Sequence, residues 1–444
     1  MPTSRLDAKI ERQRELIPVM YGSFDFSVPP ERFTQDLAHE STLPRETRNK
    51  RERLLANTQR VELMRAYTLI GDGVADAYAA LMPGFGARRL INMLDEACKR
   101  GVEKVSDAPP ELVAFIREME RIPDWLDMKL VEDGARQQRN AYAHVSPYAI
   151  RGAFFATFMN KYSALPMAIT GTLSHTTAAR RIRETATFFI TSVLPGALER
   201  HGEGFRAAAM VRLMHSMVRY NVLARERGWD KRIYGVPIPQ VDQMPAGLIN
   251  VFLLSREVLR EGRNSFTGSE RAIVELSRYR CYLLGLPEEL LADTPQGIVD
   301  LWLTRAATLR AGFDDATCGA LVRATMAADL PFGDDLVARL QSRMERSFAK
   351  LFFVQNFSNK DRAAASRVGI DLNPLDYAVA VATALYLAAQ MRTYDLASHI
   401  PVVRELADRR LVHKLIQQLA LYGHAEFQSH AESYRPAQPA AASW

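Results

Sequence analysis

Cysteine is scarce in this chain: Cys98, Cys281 and Cys318 are the only three in 444 residues, far apart and without a Cys-x-x-Cys pair. That spacing excludes a disulfide framework and a zinc knuckle, and reduced thiols in a cytoplasmic setting are the expectation. Long apolar runs are missing too. The longest, Tyr377 to Ala389, is alanine-rich and falls short of the roughly 18 to 20 residues that a bilayer span requires, so it reads as a buried helix with no membrane span. The stretch Met1 to Arg14 is charged and polar with no apolar core, so no export signal is expected. Charge of one sign is lacking: 57 basic residues are interspersed with 51 acidic ones. A pI near 9.2 without a basic stripe gives no footprint for nucleic acid. Finally, period-two alternation of β-branched residues is scarce, which leaves no strand to predict.

What is present is helical periodicity in a chain that is 48% hydrophobic, enough for a sizeable core. The fold class is all-α, a single large helical bundle. Residues 1–60 are polar and broken by Val28-Pro29-Pro30, and the aromatic Tyr21-Gly22-Ser23-Phe24-Asp25-Phe26 suggests a cap or arm that docks on the body. Residues 61–434 read as one domain, and the proline- and alanine-rich 435–444 as a disordered tail. One helix is predicted from Val61 to Ala80, another from Ser269 to Leu284 with Gly285 as its stop. Val236-Pro237-Ile238-Pro239-Gln240 reads as a rigid extended piece, because each proline biases its predecessor away from the helix. No internal repeat and no linker divides the chain.

Two helices carry side chains that chemistry could use. On Met210 to Tyr220, Val211, His215 and Val218 fall on one face, with Arg212 and Arg219 at its edge and Met214 beside it. One imidazole on an apolar stripe between two cations is what a haem asks for: a nitrogen for the iron, dry walls for the ring and positive charge for the propionates. Without a Cys-x-x-Cys-His, such a haem would be haem b, held non-covalently. A lone histidine of this kind is more often part of the core, and paired arginines are more often an ion-paired edge, so a cofactor-free helical scaffold stays open. On Ala179 to Phe189, Arg181, Thr185 and Phe188 share a face with Glu184 beside them, although an ordinary amphipathic helix would show the same pattern.

Three blocks in order resemble the haem-b oxygenases of the latex clearing protein and MpaB type. They are Thr170-Gly171-Thr172-Leu173 with Arg180-Arg181-Ile182-Arg183-Glu184-Thr185, then Val211 to Arg219, then Pro237-Ile238-Pro239-Gln240. Weaker likeness extends to Pro123-Asp124-Trp125, Tyr279-Arg280 and Leu284-Gly285-Leu286-Pro287, so it covers roughly residues 120–300. The resemblance implies a globin-like core around a haem pocket, His215 as the proximal ligand, Arg181 and Thr185 on the distal side, and Arg212 and Arg219 on the propionates. Two departures separate this chain from rubber-cleaving members. Where a lysine can cap the iron there, this chain has Glu184, and where a glutamate acts as base it has a residue near Leu165, which takes no proton.

Given haem, the expected chemistry is that of an oxygenase with O2 as co-substrate. Thr185 would donate a hydrogen bond toward dioxygen, Arg181 would stabilise developing negative charge, and Glu184 would be either an acid–base group or a structural partner of an arginine. Phe154, Phe155, Phe158, Phe188 and Phe189, with Met210, Met214 and Met217, suggest a substrate that is a small hydrophobic molecule such as a prenyl, terpenoid or lipid-like alkene. A haem protein without turnover, a gas sensor or carrier, is the competing reading.

Overall fold

Asn57, Asp72, Ser174, Thr267, Thr294, Asp335 and Asn373 each place a side-chain oxygen on a first-turn amide of the helix that follows. These caps satisfy donors that a helix start would otherwise leave open, and they set where the helices begin. The computed structural model describes residues 2–170, 174–224, 229–358 and 360–423, with side chains from Arg5 onward. The predicted tail 435–444, and Gly171 to Leu173 of the first quoted block, lie outside the described residues. Among the described residues the chain is helical, with isolated bridges Phe33 to Leu309 and Ser41 to Arg310 as the only extended pairing. None of the described helices is long and apolar enough to cross a membrane.

The contacts divide the chain into two units, Met1–Asp127 with Phe205–Gly312, and Met128–Gly204 with Phe313–Phe427. Both units are discontinuous in sequence, so no linker composition marks their boundary. In the first unit, residues 5–60 pack closely on the body: Ile17, Met20, Tyr21, Phe24 and Phe26 are buried, and Arg51 reaches the Ala307 carbonyl at 3.1 Å. Buried Arg32 pairs with Asp242 at 2.5 Å.

The predicted helix from Val61 to Ala80 is two helices, Thr58–Leu69 and Gly73–Ala79, separated by an extended Ile70. The break occurs because Asp72 caps the second helix and turns its carboxylate toward an arginine far along the chain. The helix Gly268–Leu283 ends as the sequence indicates. Gly285 takes φ +87°, with its amide and that of Leu286 bonded back to Tyr282 and Cys281.

The second unit is a bundle of Met128–His144, Ser146–Phe158, His175–Thr191, Leu336–Phe357, Pro374–Ser398 and Pro401–Tyr422. Its centre is polar as well as apolar. Arg151, fully buried, holds Glu345 at 2.7 and 2.8 Å and caps the carbonyl end of Ala320–Ala327 through Met326 and Ala328. Nearby Phe155 packs edge-on to Phe353 at 5.1 Å, and Phe154 edge-on to Phe158 at 5.8 Å.

In the same unit His144 is buried beside Tyr394, with Nδ1 2.9 Å from the Asn140 Oδ1. Burial, reinforced by the Lys414 ammonium, pushes its pKa down to about 4. The unfolded chain therefore takes up a proton on this ring at a higher pH than the folded one, near 6.5, and stability falls as the pH drops from about 6.5 to about 4. The expected result is a urea midpoint lower at pH 5 than at pH 7, with a smaller difference in His144→Asn. An equal difference in both proteins rules out His144 as the source.

Candidate active site

The helix Glu203–Leu223 carries His215, and nearly all of it belongs to the first unit. Arg212, Leu213, Ser216, Met217, Val218 and Arg219 are buried, whereas Val211, Met214 and His215 are partly exposed. Those three stand at i, i+3 and i+4, so the helix presents one apolar face with an imidazole on it.

Its two arginines do not belong to that face. Arg212 donates from Nε and Nη2 to Asp72 at 2.7 and 2.8 Å, and from Nη2 to Glu118 at 2.9 Å, with its guanidinium 5.0 Å from the Phe115 ring centre. Arg219 donates to Asp76 at 2.7 Å, to the Ser216 hydroxyl at 2.9 Å and to the Ile238 carbonyl at 2.9 Å. Tyr21 completes this second cluster, its hydroxyl 2.6 Å from Asp76. The role in holding propionates expected for Arg212 and Arg219 is therefore corrected: both guanidiniums serve buried carboxylates of their own unit. The charges remain in step with this geometry. Burial pushes Asp72 upward, but Arg212 holds it below the usual carboxylate range, whereas burial keeps Asp76 above that range despite Arg219.

Two glycines make room for these pairs. A Cβ at Gly285 would sit 2.6 Å from Asp72 Oδ2 and 2.7 Å from Arg212 Nε, and one at Gly71 would overlap Tyr21 Oη and Asp76 Oδ2. The Pro237-Ile238-Pro239-Gln240 segment docks on the same loop, with Gln240 donating to the Gly71 carbonyl at 2.6 Å. Ile238 is not extended as its flanking prolines suggest. It takes φ +49°, a costly conformation for a β-branched residue, with its carbonyl accepting from Arg219. The weaker blocks meet elsewhere in this unit: Trp125 lies edge-on to Tyr282 at 6.1 Å and carries the Arg278 guanidinium 4.0 Å above its ring.

The helix His175–Thr191, in the second unit, brings Arg181, Glu184, Thr185 and Phe188 together on one face. Arg181 Nη1 is 3.1 Å from Glu184 Oε2, and both side chains are buried. This pairing is the geometry that the structural role weighed for Glu184 calls for. Thr185 is partly exposed, Phe188 is buried edge-on to Phe189 at 5.2 Å, and Leu165 is buried. Phe155 and Phe158 are fully buried in the core of their own unit.

The sequence reading missed Asp72, Asp76, Glu118 and Tyr21. The only local signal was Gly71-Asp72-Gly73, a turn with a capping residue inside an otherwise regular helical pattern.

As a donor set for a metal, the site offers one imidazole and no cluster of three His, Cys, Asp or Glu side chains among the described residues. That suits haem, whose ring supplies four nitrogens and asks the protein for one, and it does not suit a bare metal ion.

Residues 141–352 match the family model described as "ER-bound oxygenase mpaB/B'/Rubber oxygenase, catalytic domain". The chain shares its fold with a solved structure described as latex clearing protein in the closed state, at 18% identity and a TM-score of 0.53, over 78% of this chain and 91% of that one. No curated protein is a significant relative by sequence.

Proposed function

We propose that this protein is a haem-b-dependent oxygenase that holds the iron through His215 and applies O2 to a small, unsaturated hydrophobic molecule, a prenyl, terpenoid or lipid-like alkene. The observation that carries the reading is the oxygenase catalytic-domain match over a segment that includes both the Thr185 and the His215 helices. The partly exposed Val211, Met214 and His215 support it, as an apolar seat with one nitrogen donor. When bound, haem b supplies an iron position at which dioxygen becomes reactive.

The chain's own residues do the rest. His215 gives the imidazole nitrogen, and Val211, Met214 and Phe188 supply dry walls that keep water from competing. Thr185 donates a hydroxyl hydrogen bond, and Arg181, held in place by Glu184, provides a fixed positive charge for oxygen as it becomes negative. Leu165 offers no base where rubber-cleaving relatives have one, which favours a small substrate over a polymer. Three buried cysteines, none in a disulfide, agree with a reducing, cytoplasmic setting.

The test is reconstitution with haemin followed by oxygen-electrode measurements with prenyl and terpenoid alkenes. A stoichiometric Soret band together with alkene-dependent O2 uptake is expected. The absence of a Soret band ends the haem assignment, and a Soret band without O2 uptake leaves a carrier or sensor. Within that assay, Thr185→Ala is expected to keep its spectrum and lose turnover by about 10²- to 10³-fold, the effect of removing one preorganised donor. Thr185→Ser should recover most of it, and undiminished turnover in the alanine variant removes the hydroxyl from the mechanism.

A further inference from the structure

The helix Pro374–Ser398 buries Asp376, Ala380, Thr383 and Leu387 against its own unit. On the opposite face Leu375, Ala378, Ala382, Leu385, Ala389, Arg392 and Leu396 are all exposed, and they recur at alternating steps of three and four. Leu375, Leu385 and Leu396 are 59%, 68% and 64% exposed. A helix apolar on both faces has its second face covered, and a sustained three–four rhythm is the seam of a two-helix coiled coil.

We propose that this face is the interface of a homodimer, two copies of the helix pairing antiparallel about a two-fold axis. The seam is complementary to itself. With the axis between Leu385 and Ala389, Leu385 packs on the partner subunit's Ala389, Ala378 on the partner subunit's Leu396 and Ala382 against the partner subunit's Arg392. Leu385, Arg392 and Leu396 then each meet an alanine, which lets the helices approach closely, while Leu375 lies at the outer end of the seam. Arg392 lays its stem along the seam and brings its charge out to solvent, and a single polar position of this kind fixes register.

The helix alone is too small for a stable interface, and neighbouring apolar residues enlarge it. A 25-residue helix is about 37 Å long and about 10 Å wide, a footprint of roughly 370 Å² per copy. Leu336–Phe357 runs antiparallel beside it: Lys350 bonds Asp376 at one end, and Gln341 and Tyr386 meet around Tyr148 farther along. Its exposed Leu336, Val337 and Leu340, with Val402, Val403 and Leu406 just beyond the Ser398 corner, extend the apolar surface. Together they bring each copy toward the roughly 800 Å² per partner of a stable complex. An isologous contact of this kind closes on itself, so assembly stops at two.

Sedimentation velocity of the full chain tests this, and it does so independently of haem. Wild type should sediment at twice the 49.9 kDa chain mass, and Leu385→Glu at the single mass with its dimer dissociation constant raised at least about 100-fold. Because Leu385 is exposed, the variant's circular dichroism and melting temperature should match those of wild type. A Leu385→Cys, Ala389→Cys chain should form a disulfide-linked dimer on mild oxidation, since the three native cysteines are buried. The proposal is overturned by a wild type that stays monomeric at concentrations on the order of 100 μM, where even a weak complex assembles. It is equally overturned by a dimer that Leu385→Glu leaves intact. Monomer that floats with phosphatidylglycerol vesicles through this face assigns the surface to lipid instead.

Discussion

His215→Ala, purified under conditions that load the wild type with haem, is expected to carry no stoichiometric Soret band. A haem b held as proposed has no thioether link, so its retention would depend on one coordinate bond plus apolar packing. Val211 and Met214 provide packing but no nitrogen, and the described residues offer no nearby cluster that could replace the ligand. Loss of the bond should weaken haem retention by at least about 100-fold, close to 2.7 kcal/mol at about 1.4 kcal/mol per tenfold change. Imidazole added to the medium should restore a low-spin spectrum in the alanine variant, because the truncated side chain leaves room for it. That rescue separates a missing ligand from a misfolded chain. A variant that keeps the wild-type spectrum without imidazole places the iron on another residue.

The largest effect on stability is expected at Arg219. Arg219→Ala strands Asp76, wholly buried, with the neutral hydroxyls of Tyr21 and Ser216 as side-chain partners and no counter-charge. Removing one member of a buried pair costs about 3–5 kcal/mol, most of it the penalty of a carboxylate left dry and unpaired. For a chain of this size that amounts to a fall in melting temperature of about 3–5 °C. Replacing both partners, Arg219→Met with Asp76→Leu, should recover much of the loss, because no charge is then stranded. Urea titration of the two singles and the double gives the coupling directly. If Arg219→Ala instead leaves the urea midpoint unchanged and only loosens haem, the guanidinium is a propionate ligand after all, and the clamp on Asp76 is incidental.

These two residues also show how far the sequence could be read. His215, Arg212 and Arg219 were found by helical spacing alone, because the three share one helix and its period fixes their faces. The partners of the arginines were not legible. Asp72 and Asp76 lie about 140 positions earlier in the chain, where the pattern reads as the middle of one long helix. The Gly71-Asp72-Gly73 turn is a local hint of a break, but nothing local says that it delivers two carboxylates to distant arginines. Ile238 was misread for the same reason: flanking prolines favour an extended backbone, but the carbonyl is claimed by Arg219. For Glu184 the sequence allowed an acid or an ion pair, and its 3.1 Å distance from Arg181 came only with the tertiary structure.

By itself, then, the sequence determined the all-helical class, the stop of the Gly268–Leu283 helix at Gly285, and which side chains of one helix face the same way. All of these follow from interactions between residues a few positions apart. Tertiary structure alone decided that the chain divides into two units, each discontinuous in sequence, which carboxylates neutralise which arginines, and which apolar face of Pro374–Ser398 the other described residues leave exposed. Those outcomes depend on pairs brought together from distant parts of the chain, where desolvation decides whether a charge is paired or displayed, and no local period encodes that choice.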